Sequence, residues 1–358
     1  MSRGRKIVLG VGGIVVLVIA YLLLWPVPFD PVAWTPPAAP ALAGPFERNA
    51  RLAAVERLAM GGNGPEDVAL DTEGRIYGGL ADGRIMRMRA DGTGLEKFAH
   101  TKGRPLGLHF DRAGNLIVAD ARRGLLSVST AGEVTVLATE HGGRAFKFTD
   151  DVDIGSDGTI YFSDASSRWT IDELLEEVLE HRPHGRLLAY DPTTRTTRLL
   201  LDQLYFANGV AVSADDSHVL VNETTAYRVH RYWLRGPRAG QADVLVDNLP
   251  GLPDGISRGD DGRYWIALYS PRVARLDAML PRPWLRKLSY RLPAFLHPAP
   301  LRHAMVLAID EAGKVVTNLQ DAAADSYAPI TSVQQHGDML YLGSLTRPQI
   351  ARMPLPPR

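Results

Sequence analysis

The sequence predicts an all-β fold, a six-bladed β-propeller, with an N-terminal transmembrane helix and one short helical insertion. Three observations predict it. A unit made of an alternating strand, a polar turn with glycine and a second strand recurs six times. Further strand pairs, such as 83–88 and 185–192, fill the intervals. Each repeat therefore holds about four short strands in roughly 40 to 45 residues, the spacing of propeller blades. Finally, the first 25 residues are apolar behind a basic start.

Arg3, Arg5 and Lys6 precede the apolar run 7–25, which is long enough to cross a bilayer as a helix at about 1.5 Å per residue. Basic residues on the short side predict a cytoplasmic N-terminus and a propeller on the extracytoplasmic (periplasmic or lumenal) side. A cleaved signal peptide is the alternative. The length of the run, and the lack of small residues before Pro26, favour an uncleaved anchor over 1–25. Residues 26–48, rich in proline and alanine, read as an extended spacer holding the domain off the membrane. Residues 49–358 remain for the propeller. Lys+Arg and Asp+Glu both number 40, so nothing suggests a nucleic-acid partner. The chain has no cysteine, which excludes disulfides, thiolate metal sites and a cysteine nucleophile.

The repeats begin at Glu66, Leu106, Asp150, Asn208, Asp254 and about Thr331. A strand near 52–57 is expected to close the ring beside the last unit, removing open sheet edges. Two spacings are long. Residues 169–180 show helical apolar periodicity after Thr170, a capping residue. Residues 276–303 are apolar and basic, and read as a lid over the mouth, a membrane-surface contact or an irregular strap.

Aligned on their turn glycines, the six starting residues share one position, at the head of the innermost strand facing the central channel. Three carboxylates and one amide oxygen converge there. Unpaired buried carboxylates repel and are costly to desolvate, which calls for a hard cation. Mixed carboxylate and amide oxygens suit Ca²⁺ better than Zn²⁺ or Mg²⁺. The metal ligands expected are Glu66, Asp150, Asn208 and Asp254. The alternative is plain turn chemistry, since Asn-Gly and Pro-Asp-Gly are common turns. Leu106, Tyr161, Phe206, Asn222 and Thr331 are expected to line the mouth. Asp120 and Asp164 read as exposed strand-end residues.

Several motifs resemble one family: Ser167-Arg168-Trp169, Gly185-Arg186-Leu187-Leu188, Phe206-Ala207-Asn208-Gly209-Val210, Arg231-Tyr232-Trp233-Leu234-Arg235-Gly236 and Leu249-Pro250-Gly251-Leu252-Pro253-Asp254. They are similar to the strictosidine synthase-like and adipocyte plasma membrane-associated proteins, relatives of paraoxonases and gluconolactonases. The resemblance covers nearly the whole chain after the spacer. It implies a six-bladed propeller with calcium in its channel, and it matches Glu66, Asn208 and Asp254 to ligands; Asp150 stands where relatives have asparagine. It also implies two losses. Leu106 stands where paraoxonases carry a histidine base. Thr331 stands near the catalytic glutamate of true strictosidine synthases, and a threonine cannot act as a base near neutral pH, so that synthase activity is not expected. The expected function is calcium-dependent hydrolysis of a small ester or lactone by a membrane-anchored enzyme. Asp254 is the base or nucleophile, with Asp150 or Asp151 as substitutes. The alternative is a non-catalytic, calcium-stabilised propeller that binds a ligand or partner.

Overall fold

The structure is a computed structural model and describes residues 3–297 and 299–356. Six four-stranded antiparallel sheets are arranged as blades. Their innermost strands are Val68–Leu70, Pro105–Phe110, Thr149–Ile154, Ala207–Val212, Gly251–Arg258 and Ser332–His336. Apolar clusters lie between successive blades: Ala69, Tyr77 and Ile85 of the first pack with Leu108, Leu116 and Leu126 of the second. Middle strands are thus covered on both faces, which is why Ala304–Ile309 is buried at every position and reads as a continuous apolar run. The ring closes as expected, two residues later than the run 52–57 suggests at its C-terminal end. Strand Glu56–Ala59 pairs with Gln349–Pro354 and supplies the outer edge of the sixth blade.

Helix α1 (Arg3–Leu24) is apolar, unburied and long enough to cross a membrane; it is a candidate membrane anchor or signal sequence. Helix α2 (Leu174–Glu180) follows a 3-10 turn, Ile171–Glu173, at the predicted insertion. Glu173 turns back to accept from the Thr170 N–H at 3.1 Å and its hydroxyl at 2.9 Å, which satisfies a donor at the helix start. The second long spacing is also helical, in α3 (Ala274–Met279) and α4 (Pro283–Tyr290), so it is no irregular strap. Pro283 starts α4 at the first turn, where its missing N–H costs nothing.

The spacer reading needs correction. Residues 26–48 are extended but lie docked on the body. Phe29 is buried with Val27 and Trp34 among Trp169, Leu179, Leu276 and Met279. Val32 and Trp34 donate to the carbonyls of Glu180 and Leu280, and the Arg272 guanidinium reaches the Pro37 carbonyl at 2.7 Å. Apolar side chains between the prolines find an apolar trough between α2 and the second insertion. Burying them outweighs the entropy of a free linker. The segment seats the domain against the end of α1.

Candidate functional site

Four of the six innermost strands lose register with their neighbours over the two residues at the aligned position. The irregularities fall between Pro105 and Leu108, Thr149 and Val152, Ala207 and Val210, and Pro253 and Ile256. A β-bulge re-aims a side chain that would otherwise stay in the pleat, and here it turns Asp150, Asn208 and Asp254 toward the channel. Asn208-Gly209 is therefore a bulge inside a strand; it is not the turn that the dipeptide suggests. Phe206 holds φ at 60° just before it, an uncommon conformation for a bulky residue and a place where strain is kept at a site.

The residue after the aligned position serves the ring. In the first and third blades it is Asp67 or Asp151. The Asp67 carboxylate accepts from Leu108 N–H at 3.0 Å, and Asp151 from Val210 N–H at 2.7 Å and Val152 N–H at 2.8 Å. Asp153 repeats the device on Val212 N–H at 2.7 Å. The facing blades carry glycine. A Cβ on Gly107 would stand 2.6 Å from Asp151 Cα, and one on Gly209 would stand 2.3 Å from the Ile256 nitrogen. Only glycine permits that approach. Asp151 is thereby committed to the scaffold, which removes it as a substitute base.

Glu66, Asp150, Asn208 and Asp254 all line one cavity of about 430 Å³, with Leu106 and Thr331 from the same register and Phe206 two residues before Asn208. Its walls are apolar: Phe148, Ile171, Leu174, Leu175, Val178 and Leu276 join them. Phe148 meets Phe206 edge to face, centroids 5.4 Å apart. The Thr331 hydroxyl donates to the Glu66 carbonyl at 2.8 Å, latching the sixth blade to the first. Two expected lining residues lie elsewhere. Tyr161 packs between the third and fourth blades among Leu187, Ala189 and Val210, because its strand is second in its blade and faces a neighbouring sheet. Asn222 is buried behind the site and donates to the Asp254 carbonyl at 2.6 Å, while its own Oδ1 has no partner. Asp120 and Asp164 are buried, contrary to the exposed reading. Asp120 accepts from the N–H groups of Arg104, Arg122 and Arg123, and Asp164 from Phe148 and Arg186.

Burial pushes the Glu66 carboxyl well above its usual range, and the charges of Asp254 and Asp150 add to it. Burial also raises Asp254, helped by Asp150 and opposed by a hydrogen bond from Asn208. Asp150 is pushed up to about 8 by burial, against the charge of Arg104. Arg104 is a contributor that the repeats do not reveal. It is buried, donates to the Gly64 carbonyl at 2.8 Å, and brings one positive charge near Glu66 and Asp150. Tyr269 also lines the cavity, and burial together with Asp254 raises its phenol; a strand-end tyrosine outside the aligned position gives no signal in sequence.

The donor set fits a hard cation: the acidic oxygens outnumber the one nearby guanidinium, and a buried excess of negative charge is costly unless neutralised. Among the described residues no three His, Asp or Glu side chains are closed into a ready metal cluster. The set is three carboxylates and one amide around a shared cavity.

Family models for strictosidine synthase and for the strictosidine synthase-like N-terminal region match residues 150–237 and 44–88. The chain is 38% identical over 300 residues to strictosidine synthase-like protein 4 of Arabidopsis thaliana, covering 82% of this chain and 80% of that one. It is 34% identical over 358 residues to the human adipocyte plasma membrane-associated protein, covering 93% and 86%. A gluconolactonase from Xanthomonas campestris has a similar solved structure, TM-score 0.62 at 18% identity, with 93% and 99% covered. So does a calcium-binding regucalcin from Agrobacterium tumefaciens, TM-score 0.56 at 13% identity, with 83% and 92% covered. The register, the ring and these likenesses agree: the chain belongs to the strictosidine synthase-like family, on a gluconolactonase-type propeller.

Proposed function

We propose that the protein is a membrane-anchored, calcium-dependent hydrolase of carboxylic esters or lactones. The observation that carries this reading is the convergence of Glu66, Asp150, Asn208 and Asp254 on one apolar-walled cavity. These four residues would hold Ca²⁺, which when bound supplies Lewis acidity toward a substrate carbonyl oxygen. The protein's own groups do the rest. The apolar wall from Phe148, Phe206 and α2 takes up the acyl or aryl part and keeps bulk water out. Asp254 accepts a proton as water adds to the carbonyl carbon. The ester C–O bond then breaks, and the departing oxygen recovers the proton. Tyr269, beside Asp254, is placed to steady that oxygen with its hydroxyl. Leu106 and Thr331, in the same register, provide no base, which leaves the chemistry to carboxylates. In this reading α1 spans the membrane with its N-terminus in the cytoplasm, and no nucleic acid takes part.

The test is a panel of aryl esters and lactones of graded ring size, with the purified full chain in calcium and after chelation. Turnover that disappears on chelation and in Asp254→Asn supports the reading. If calcium raises the melting temperature but nothing is hydrolysed, the protein is a calcium-stabilised binding module instead.

A further inference from the structure

One short segment joins three features that the hydrolase reading does not connect. At its start, Arg291 donates to the carbonyls of Trp25 at 2.7 Å and Leu22 at 2.8 Å. Those carbonyls belong to the last turn of α1 and the residue just past it, where helix acceptors lack internal partners and a cation is favoured. In its middle, Phe295 is 84% exposed and Leu296 40%, with Leu301 at 50% and Trp284 of α4 at 60%. At its end, Ala299 and Pro300 line the cavity. Exposed large apolar side chains this frequent in one stretch of chain mark an interaction surface.

Charge says what the surface meets. Residues 274–303 hold six cations, Arg275, Arg282, Arg286, Lys287, Arg291 and Arg302, against a single acid, Asp277. Arg275, Arg282 and Arg302 are exposed. Aromatic and leucine side chains beside exposed arginines are the composition of an interfacial membrane contact. Arg291 fixes that surface against the end of the candidate span.

We infer that the 284–301 segment is a second membrane contact, in which Trp284, Phe295, Leu296 and Leu301 enter the leaflet that α1 leaves, with the exposed arginines on anionic headgroups. The cavity mouth then opens at the lipid surface, so its substrates are amphiphilic esters or lactones drawn from the bilayer. This inference rests on α1 being retained as an anchor, and it deepens the hydrolase reading.

The chain has no native cysteine, so single labels are clean. In full-length Phe295→Cys and Ala113→Cys, reconstituted in vesicles of mixed neutral and anionic phospholipid, a nitroxide reports depth through its collisions with oxygen and with a water-soluble nickel complex. Ala113 lies in an exposed turn of the second blade, at the opposite end of its innermost strand from Leu106. The label at 295 is expected to favour oxygen, and the label at 113 the nickel complex. A label at 295 as open to nickel as that at 113 overturns the contact. The second arm uses the double variant Trp284→Glu, Phe295→Glu, neither of which lines the cavity. The KM for a long-chain ester carried in vesicles should rise about tenfold or more, since two large apolar side chains are withdrawn from lipid. Turnover of a short, water-soluble ester should stay unchanged. Equal KM values for both proteins overturn delivery from the bilayer. If the parent protein cleaves no ester, the hydrolase reading fails, and the nitroxide arm still decides the contact.

Discussion

Glu66, Asp150 and Asp254 face the cavity, while Asp67, Asp151 and Asp153, one to three residues further along two of the same strands, face the next blade. Both sets are acidic and largely withdrawn from water. The inter-blade set is saturated with peptide N–H donors at 2.7 to 3.0 Å. Burial raises Asp67 and Asp151 too, and the charge of Asp67 adds to it at Asp151, but main-chain hydrogen bonds oppose the rise at each. The cavity set is raised by burial, with the charges of Asp254 and Asp150 adding to it at Glu66, Asp150 at Asp254 and Asp164 at Asp150; Arg104 opposes it at Asp150 and the Asn208 amide at Asp254. A buried carboxylate that receives main-chain donors is part of the scaffold; one that faces others across a cavity carries a cost that a cation would relieve. Position in the pleat, shifted by the bulges, decides which of the two it becomes.

The largest effect should come from the scaffold. Asp151→Ala strips the acceptor from two amides, Val210 and Val152. It should cost about 3 kcal/mol, read as a lower denaturant midpoint with or without calcium. Cavity variants should behave with the opposite sign. Calcium at a hundredfold excess over its dissociation constant should stabilise the parent by about 2.7 kcal/mol. Asp254→Asn and Glu66→Gln should lose that gain, yet be at least as stable as the parent in chelator, since each removes one repelling charge. An Asp254→Asn protein that is weaker than the parent in chelator breaks the comparison.

A third prediction moves the contrast to α2, where two buried glutamates three residues apart differ in the same way. Burial pushes Glu177 up to about 8, relieved only partly by Ser166. Glu180 is also buried, but His184, the Asp30 N–H, Trp169 and Arg168 hold it down to about 2. A carboxyl whose folded pKa stands above its unfolded value of 4.5 binds its proton more tightly when folded. Its contribution is complete below pH 4.5 and is lost as pH rises toward about 8. Glu177→Gln should therefore flatten the decline over that interval, gaining on the order of 1–2 kcal/mol at its upper end. Glu180 acts in reverse, its contribution being lost as pH falls from 4.5 toward about 2. Melting curves across pH distinguish the two. The smallest effect belongs to His109, half exposed and 3.3 Å from Asp153. His109→Ala should change stability by no more than about 0.5 kcal/mol, because Val212 N–H already holds that carboxylate.

The six blades and the aligned position were legible because turn glycines recur at fixed offsets from each starting residue, and periodicity survives whatever packs around it. The cavity-facing residues followed from that alignment. The inter-blade aspartates did not, although Asp67 and Asp151 stand next to residues that were read. Their role depends on an N–H in another blade and, for Asp151, on Gly107 leaving room beside it, and neither is a local signal. Tyr161 was misplaced for a related reason: a conspicuous aromatic beside the register belongs to the second strand, where its side chain packs between two blades. The docked 26–48 segment was hidden by its prolines, which describe an extended backbone equally well whether it is free or packed.

Ring closure also sets an order on synthesis. Ala59 pairs with Gln349, so about 290 residues must be made between the two partners, roughly 15 to 60 seconds of translation. Throughout that time the outermost strand of the last blade waits without its neighbour. The finished molecule is clasped by its earliest and latest strands together, so loss of the final strand, however short, should release the N-terminal one as well and reopen the ring at a single seam.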